Sequence, residues 1–198
     1  MAFTGLKYIG IAKLKTEPTL SAAPVYEDGK IAGKAIQANL TVTRNNVVLR
    51  ADDSDAEFDD TLAGISAELG MDHLDDEDRV TFMGFAKQTG SGAGAVTEYM
   101  DSDEPSPYVG VGYVRVGQKD NVPLYEANLI VKAKLSETNE NAQTKGETTT
   151  FQTPSLTARG LQVPNWIKGS GNGFRLKATF TTDAAALAWL KTKLGITP

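Results

Sequence analysis

Residues 108–135 read YVGVGYVRVGQKDNVPLYEANLIVKAKL, and this stretch decides the class of fold. In its second half Tyr125, Ala127, Leu129, Val131, Ala133 and Leu135 fall on one side, and Glu126, Asn128, Ile130, Lys132 and Lys134 on the other. Strand side chains point alternately to opposite faces, so the pattern predicts a long strand with one buried face. The first half, Tyr108 to Val116, is apolar or glycine on both faces, which predicts a strand covered on both sides. Gly117 to Asn121 supplies turn residues that close the two into an antiparallel hairpin. Gly110, Gly112 and Gly117 lie inside strands rather than ahead of a helix, so they mark close backbone approach and not a phosphate loop. A ribbon this long is stable only with further strands beside it.

Those partners are sought on either side. LKYIGIAKL at 6–14 reads as a first strand, followed by a proline-containing loop from Thr16 to Pro24. Asp28-Gly29 is a strong hairpin signal. Ile36, Ala38, Leu40 and Val42 alternate with Gln37, Asn39, Thr41 and Thr43. Asn45-Asn46 tolerates a tight turn, which would return Val47 to Ala51 as another strand. Asp52 to Asp60 reads as an acidic loop. FDDTLAGISAELG, at 58–70, fits both the helical and the strand period. Asp72 to Gly84 predicts a short helix, with acids in the first turn and a glycine to end it. Polar excursions follow at about 85–107 and 136–147. Thr148 to Thr157 and Phe174 to Phe180 read as strands, with a loop from Gly160 to Gly173 between them. Thr182 caps a helix from Asp183 to Leu194, with Leu187, Leu190 and Leu194 on one stripe and Gly195 just past its end. The expectation is one domain over 1–198, mainly β. It would be an antiparallel β-sandwich or partly closed barrel, with a short internal α-helix and a C-terminal α-helix.

Composition narrows the function. A net charge of −5 argues against free binding to nucleic acid, which requires a basic face. With no cysteine, disulfides and thiolate metal sites are excluded. The N-terminal stretch lacks the apolar core of a signal peptide, and no run approaches the ~20 apolar residues that span a bilayer. His73 sits in an acidic run with no nucleophile motif beside it, and the sequence contains no G-x-S-x-G, H-E-x-x-H or P-loop. The expectation is therefore no enzyme, no catalytic residue and no cofactor. From Asp52 to Asp78 there are twelve acids and no lysine or arginine. Asp53, Asp55 and Glu57 are spaced as in a calcium loop, but the turn glycine and the closing glutamate are missing. A solvated acidic surface is the preferred reading. It also suits a surface that DNA must pass without sticking.

The layout resembles the major tail proteins, or tail tube proteins, of long-tailed bacteriophages, in particular the siphophage family of Gram-positive hosts. The resemblance is carried by FTGLKYIGIA near the start, by DGK and GKAIQANL within 28–40, and by RNNVVLRADD with the acidic stretch behind it. It continues through AELG and the short acidic helix, SPYVGVGYVR, EANLIVKAKL, and TKGETTTFQTPSLTA at 144–158. It implies a β-sandwich subunit that forms hexameric rings stacked into a hollow tube through which DNA passes. It implies a virion protein, made in the host cytoplasm, that has no membrane partner and meets a tape measure protein, a tail terminator and distal tail proteins. It implies that 58–70 is a strand. Gly90, Gly92, Gly94 and Tyr99 become candidates for an inter-ring arm, and Gln37, Asn39, Glu126 and Asn128 for the lumen wall. The alternative, from a different class, is a monomeric β-sandwich module that binds carbohydrate or calcium through the acidic 52–60 loop.

Overall fold

Val109–Lys119 and Val122–Asn139 form the hairpin expected at the centre, and every other strand is placed relative to it. The computed structural model describes residues 2–86, 103, 105–139, 144 and 153–197. In chain order the elements are β1 (Ala2–Thr16), β2 (Val25–Ala32), β3 (Ala35–Ala51), β4 (Ser54–Met71), α1 (Asp76–Met83), β5 (Val109–Lys119) and β6 (Val122–Asn139). They are followed by β7 (Ser155–Gly160), β8 (Val163–Pro164), β9 (Asn172–Gly173), β10 (Arg175–Phe180) and α2 (Asp183–Leu194). The fold is mainly β and antiparallel. One sheet runs β2-β1-β5-β6-β7-β4-β3, with β10 attached to β6, and β8 pairs β9 in a two-stranded ribbon.

Strand β6 is the fork of the sheet. Tyr125 to Ile130 pair β10, and Ala133 to Asn139 pair β7, both on the edge away from β5. The sheet folds over on itself, and two cores result. Between its layers, Ile9, Ile11, Val109, Val111 and Ile130 pack with Ile65, Leu69, Met71, Leu156 and Phe82 of α1. On the outer side of β1, β5 and β6, Ala186, Leu190 and Leu194 of α2 cover Ala12, Val114, Ala127 and Leu129. The terminal strands β2 and β3 do not pair with each other, so the sandwich stays open and no barrel closes.

The glycines of β5 work as their positions predict. A Cβ on Gly112 would lie 2.3 Å from Leu190 Cδ1, and one on Gly110 2.4 Å from the Tyr26 ring. Both glycines let a neighbour lie directly on the strand. The Tyr26 hydroxyl then reaches across and donates to Val131 O at 2.7 Å. Helix α2 is bounded as expected, with Thr182 Oγ1 accepting from Ala185 N and Gly195 left-handed at φ 64°. Its buried stripe is Ala186, Leu190 and Leu194, whereas Leu187 is half-buried. A bulge at Tyr8 (φ 54°) aims that side chain and Lys7 at Asp183, with hydroxyl and ammonium 2.9 and 2.8 Å from Oδ2. This ties β1 to the first turn of α2, where an acid also suits the helix dipole.

Several local expectations are corrected. Asn45-Asn46 is no turn: β3 runs through it to Ala51, and Val47 to Ala51 belongs to the same strand. The chain reverses instead at Asp52-Asp53, both with positive φ (50° and 58°), closed by the pair Ala51–Ser54. Asp120-Asn121 closes β5–β6 in the same way, at 51° and 62°. Two successive positive φ angles are what a two-residue hairpin loop requires. Asp28-Gly29 is a bulge inside β2 rather than a hairpin, since the register against β1 shifts there. The acidic 52–60 loop is a strand from Ser54 onward, and 58–70 is a strand too, as the tail-tube resemblance implies. β6 continues to Asn139, through the start of the expected 136–147 excursion.

Candidate functional site

The longest strands make the feature that stands apart. β3 and β4 pair from Ala35–Met71 to Ala51–Ser54, but β7 pairs β4 only from Ile65 to Gly70. Beyond Thr43 and Gly64 the hairpin has lost its neighbours, and among the described residues its two strands pair only with each other. At about 3.3 Å per residue, Thr43 to Asp52 reaches roughly 30 Å. The radius of gyration expected for a domain of 198 residues is only about 16 Å. The outer hairpin is therefore an arm.

The arm is amphipathic on both faces rather than polar. Val48 and Phe58 are cross-strand partners on one face, with Val42 and Leu62 further in. Val47 and Leu49 lie on the other. Val47, Leu49 and Phe58 are exposed to 62%, 59% and 58%. Exposed apolar side chains thus lie on both faces of the arm, the kind of surface that interaction sites carry. Arg44 pairs Asp60 at 3.0 Å and Arg50 pairs Asp55 at 3.1 Å. Such exposed ion pairs contribute only about 0–1 kcal/mol each, so they hold register more than stability.

The second unusual region lies on β5, β6 and β10, on the face away from α2. Tyr113, Asn128 and Lys177 form one cross-strand row and Arg115, Glu126 and Thr179 the next. Glu126 is 3% exposed and Asn128 fully buried. Arg115 Nε donates to Glu126 Oε1 at 3.0 Å, Asn128 Nδ2 donates to it at 3.2 Å, and Lys177 Nζ lies 3.2 Å from Oε2. Burial works to raise the Glu126 pKa, but these donors outweigh it and hold the carboxyl below its usual value. Asn128 Oδ1 is a buried acceptor with no donor among the described residues. Arg175, Lys177 and Thr179 line the exposed side of β10, and β6 is the strand's one pairing partner among the described residues.

The residues expected to form a lumen wall separate. Gln37 and Asn39 are exposed on β3. Glu126 and Asn128 are inside the subunit, tied into the network just described, and β6 is buried on both faces from Glu126 to Val131 rather than on one. The inter-ring arm candidates Gly90, Gly92, Gly94 and Tyr99 lie outside the described residues. The apolar arm residues were missed by sequence reasoning. The signal available was Asp52-Asp53, a second place where positive φ is tolerated, flanked by the complementary Arg50 and Asp55. Among the described residues no three His, Asp or Glu side chains converge as metal ligands. Asp52 and Asp53 form the turn and the later acids of 52–60 are spread along β4, where Asp55 and Asp60 pair with arginine. No helix among the described residues is long and apolar enough to cross a membrane.

No family model matches the chain, and no curated protein is similar to it. Among solved structures, a chain of the anti-feeding prophage (AFP) baseplate, from a cryo-EM structure with 6-fold symmetry, is similar over 92% of this chain and 98% of that one, at 9% identity and a TM-score of 0.32. A likeness that loose carries no weight for this chain's function, which rests on the arm and the open strand edges.

Proposed function

We propose that the chain is a structural subunit that assembles with copies of itself, as a tail-tube protein of phage does, into hexameric rings stacked around a channel for DNA. The observation that supports this reading is the arm. A paired hairpin reaching roughly 30 Å beyond the sandwich, with Val47, Leu49 and Phe58 exposed, pairs with no third strand of its own subunit among the described residues. Edges on β2, β3 and β10 that are unpaired among the described residues add to it. Soluble proteins protect such edges, and a closed ring protects them by pairing. An arm on one side and a receiving surface on the other make a heterologous contact, which closes as a ring or continues as a filament. In this reading Gln37 and Asn39 are the wall candidates that remain exposed, and the tape measure, terminator and distal tail proteins are partners.

The acidic stretch on which the calcium or carbohydrate alternative relies is the turn and outer strand of the arm, and among the described residues no three acids converge there as metal ligands. Negative-stain electron microscopy of the purified protein, dilute and then concentrated, tests the proposal. Rings or tubes of uniform width are expected. Small separate particles at every concentration would overturn it.

A further inference from the structure

Two unpaired edges of opposite charge stand out. The outer part of β4, SDAEFDDTL at 54–62, carries four acids and no cation, and its edge away from β3 is free among the described residues, since β7 begins to pair only at Ile65. β10, RLKATF at 175–180, carries Arg175 and Lys177 and no acid, and its edge away from β6 is free among the described residues. The network behind β10 is itself cationic, since Arg115 and Lys177 share the one carboxylate of Glu126.

Resting on the assembly reading above, we infer that the acidic β4 edge of one copy adds as a strand to the β10 edge of a second copy. Antiparallel pairing with Glu57 opposite Lys177 puts Phe58 opposite Leu176. The faces then agree. Glu57 meets the cationic side of β10, where Arg175 also lies. Phe58 meets the apolar side, where Leu176, Phe180 and Trp189 are half-buried around α2. The Phe180 and Trp189 rings, 6.2 Å apart, form the wall that Phe58 would extend. Main-chain hydrogen bonds supply attraction in this mode of recognition, and the alternating side chains supply register. Because each copy carries both a donor arm and a receiving β10, the contact is head-to-tail. It would extend the β5–β6–β10 layer of one subunit by the hairpin of the next, and it leaves the edges of β2 and β3, free among the described residues, for other contacts.

The absence of cysteine makes a clean test possible. Opposed residues of an antiparallel pair have Cα atoms about 4.5–5.5 Å apart, within disulfide range. Protein carrying Glu57→Cys is mixed with protein carrying Lys177→Cys and oxidised mildly, at a concentration where wild type assembles by electron microscopy. Both residues are on exposed strands, and melting of each single variant verifies folding. The expected result is a covalent dimer in the mixture, well above the amount from either variant alone. Glu57→Cys mixed with Val25→Cys, on the β2 edge, is the control and should give no covalent dimer above the amount from either variant alone. Assembly with no cross-link to Lys177→Cys, or with a cross-link to Val25→Cys instead, overturns β10 as the receiving edge and leaves the assembly reading standing. No assembly of wild type at any concentration overturns both.

Discussion

Two long antiparallel hairpins in this subunit are built alike and end up in opposite surroundings. β5–β6 and β3–β4 each turn through two residues of positive φ, Asp120-Asn121 and Asp52-Asp53. β5–β6 is flanked by β1, β7 and β10 and covered by α2 on one face. It is apolar where it is covered, and where it is not apolar it is held by the Glu126 network. β3–β4 begins the same way, with Ile65, Ala67, Leu69 and Met71 buried, and then runs out past Gly64 with no third strand among the described residues. A hairpin's stability comes from its neighbours rather than from its turn or length. The outer half of β3–β4 has every local property of a stable ribbon except the neighbours, and this is what makes a second subunit the reasonable place to find them.

The comparison is broken most severely from the β6 side. Leu129 is 1% exposed beneath α2. Leu129→Asp should cost more than about 4 kcal/mol and leave no cooperative unfolding transition in circular dichroism. The glycines sharpen the contrast at smaller cost. Gly112→Ala places a methyl 2.3 Å from Leu190 Cδ1 and 3.0 Å from Asn128 O, and should destabilise by about 1–3 kcal/mol in urea melts. Gly64→Ala, at the root of the arm, meets nothing within 4 Å and should stay within about 0.5 kcal/mol of wild type. Thr182→Ala removes the cap that accepts from Ala185 N at 3.4 Å and should cost about 1 kcal/mol.

Acid probes the same contrast electrostatically. Glu126 is held below its usual pKa in the fold, so its contribution is present above the unfolded value and is lost as pH falls through the folded one. Urea melts from neutral pH down through the carboxylate range should show wild type losing stability more steeply than Glu126→Gln. A parallel decline in the two proteins would show that the network does not carry the effect. The smallest effect belongs to the arm. Phe58→Ser should change subunit stability by less than about 0.5 kcal/mol in dilute protein, since the residue is 58% exposed. The same change should raise the concentration needed for assembly, read by light scattering.

The sequence made some of these features legible and hid others for physical reasons. The caps of α2 and the close approach at Gly110 and Gly112 were readable, because each follows from one residue's chemistry at one position. Asp28-Gly29 misled, because a bulge and a hairpin loop both ask for positive φ and a dipeptide cannot say which is built. Asn45-Asn46 misled for the complementary reason. Asparagine tolerates a turn without requiring one, and the register of Val48 on Phe58 keeps the strand straight through it. The burial of Glu126 and Asn128 was out of reach. Alternation shows which residues share a face, but not whether the face is covered. The cations that satisfy Glu126 come from β5 and from β10, separated from it by a turn and by some fifty residues respectively. The arm was hidden in the same way, since a strand's missing neighbour is a property of the whole sheet.

The measurement that bears most directly on the arm is sedimentation velocity over a concentration series, on wild type and on a variant in which Asn45 is joined to Thr61 through an Asn-Gly turn. These residues already face each other across the hairpin, so the variant keeps the buried root and loses only the outer strands. The account predicts that the shortened protein melts as wild type does and remains a monomer where wild type has grown into large particles. Assembly of the shortened protein at the same concentrations would contradict it.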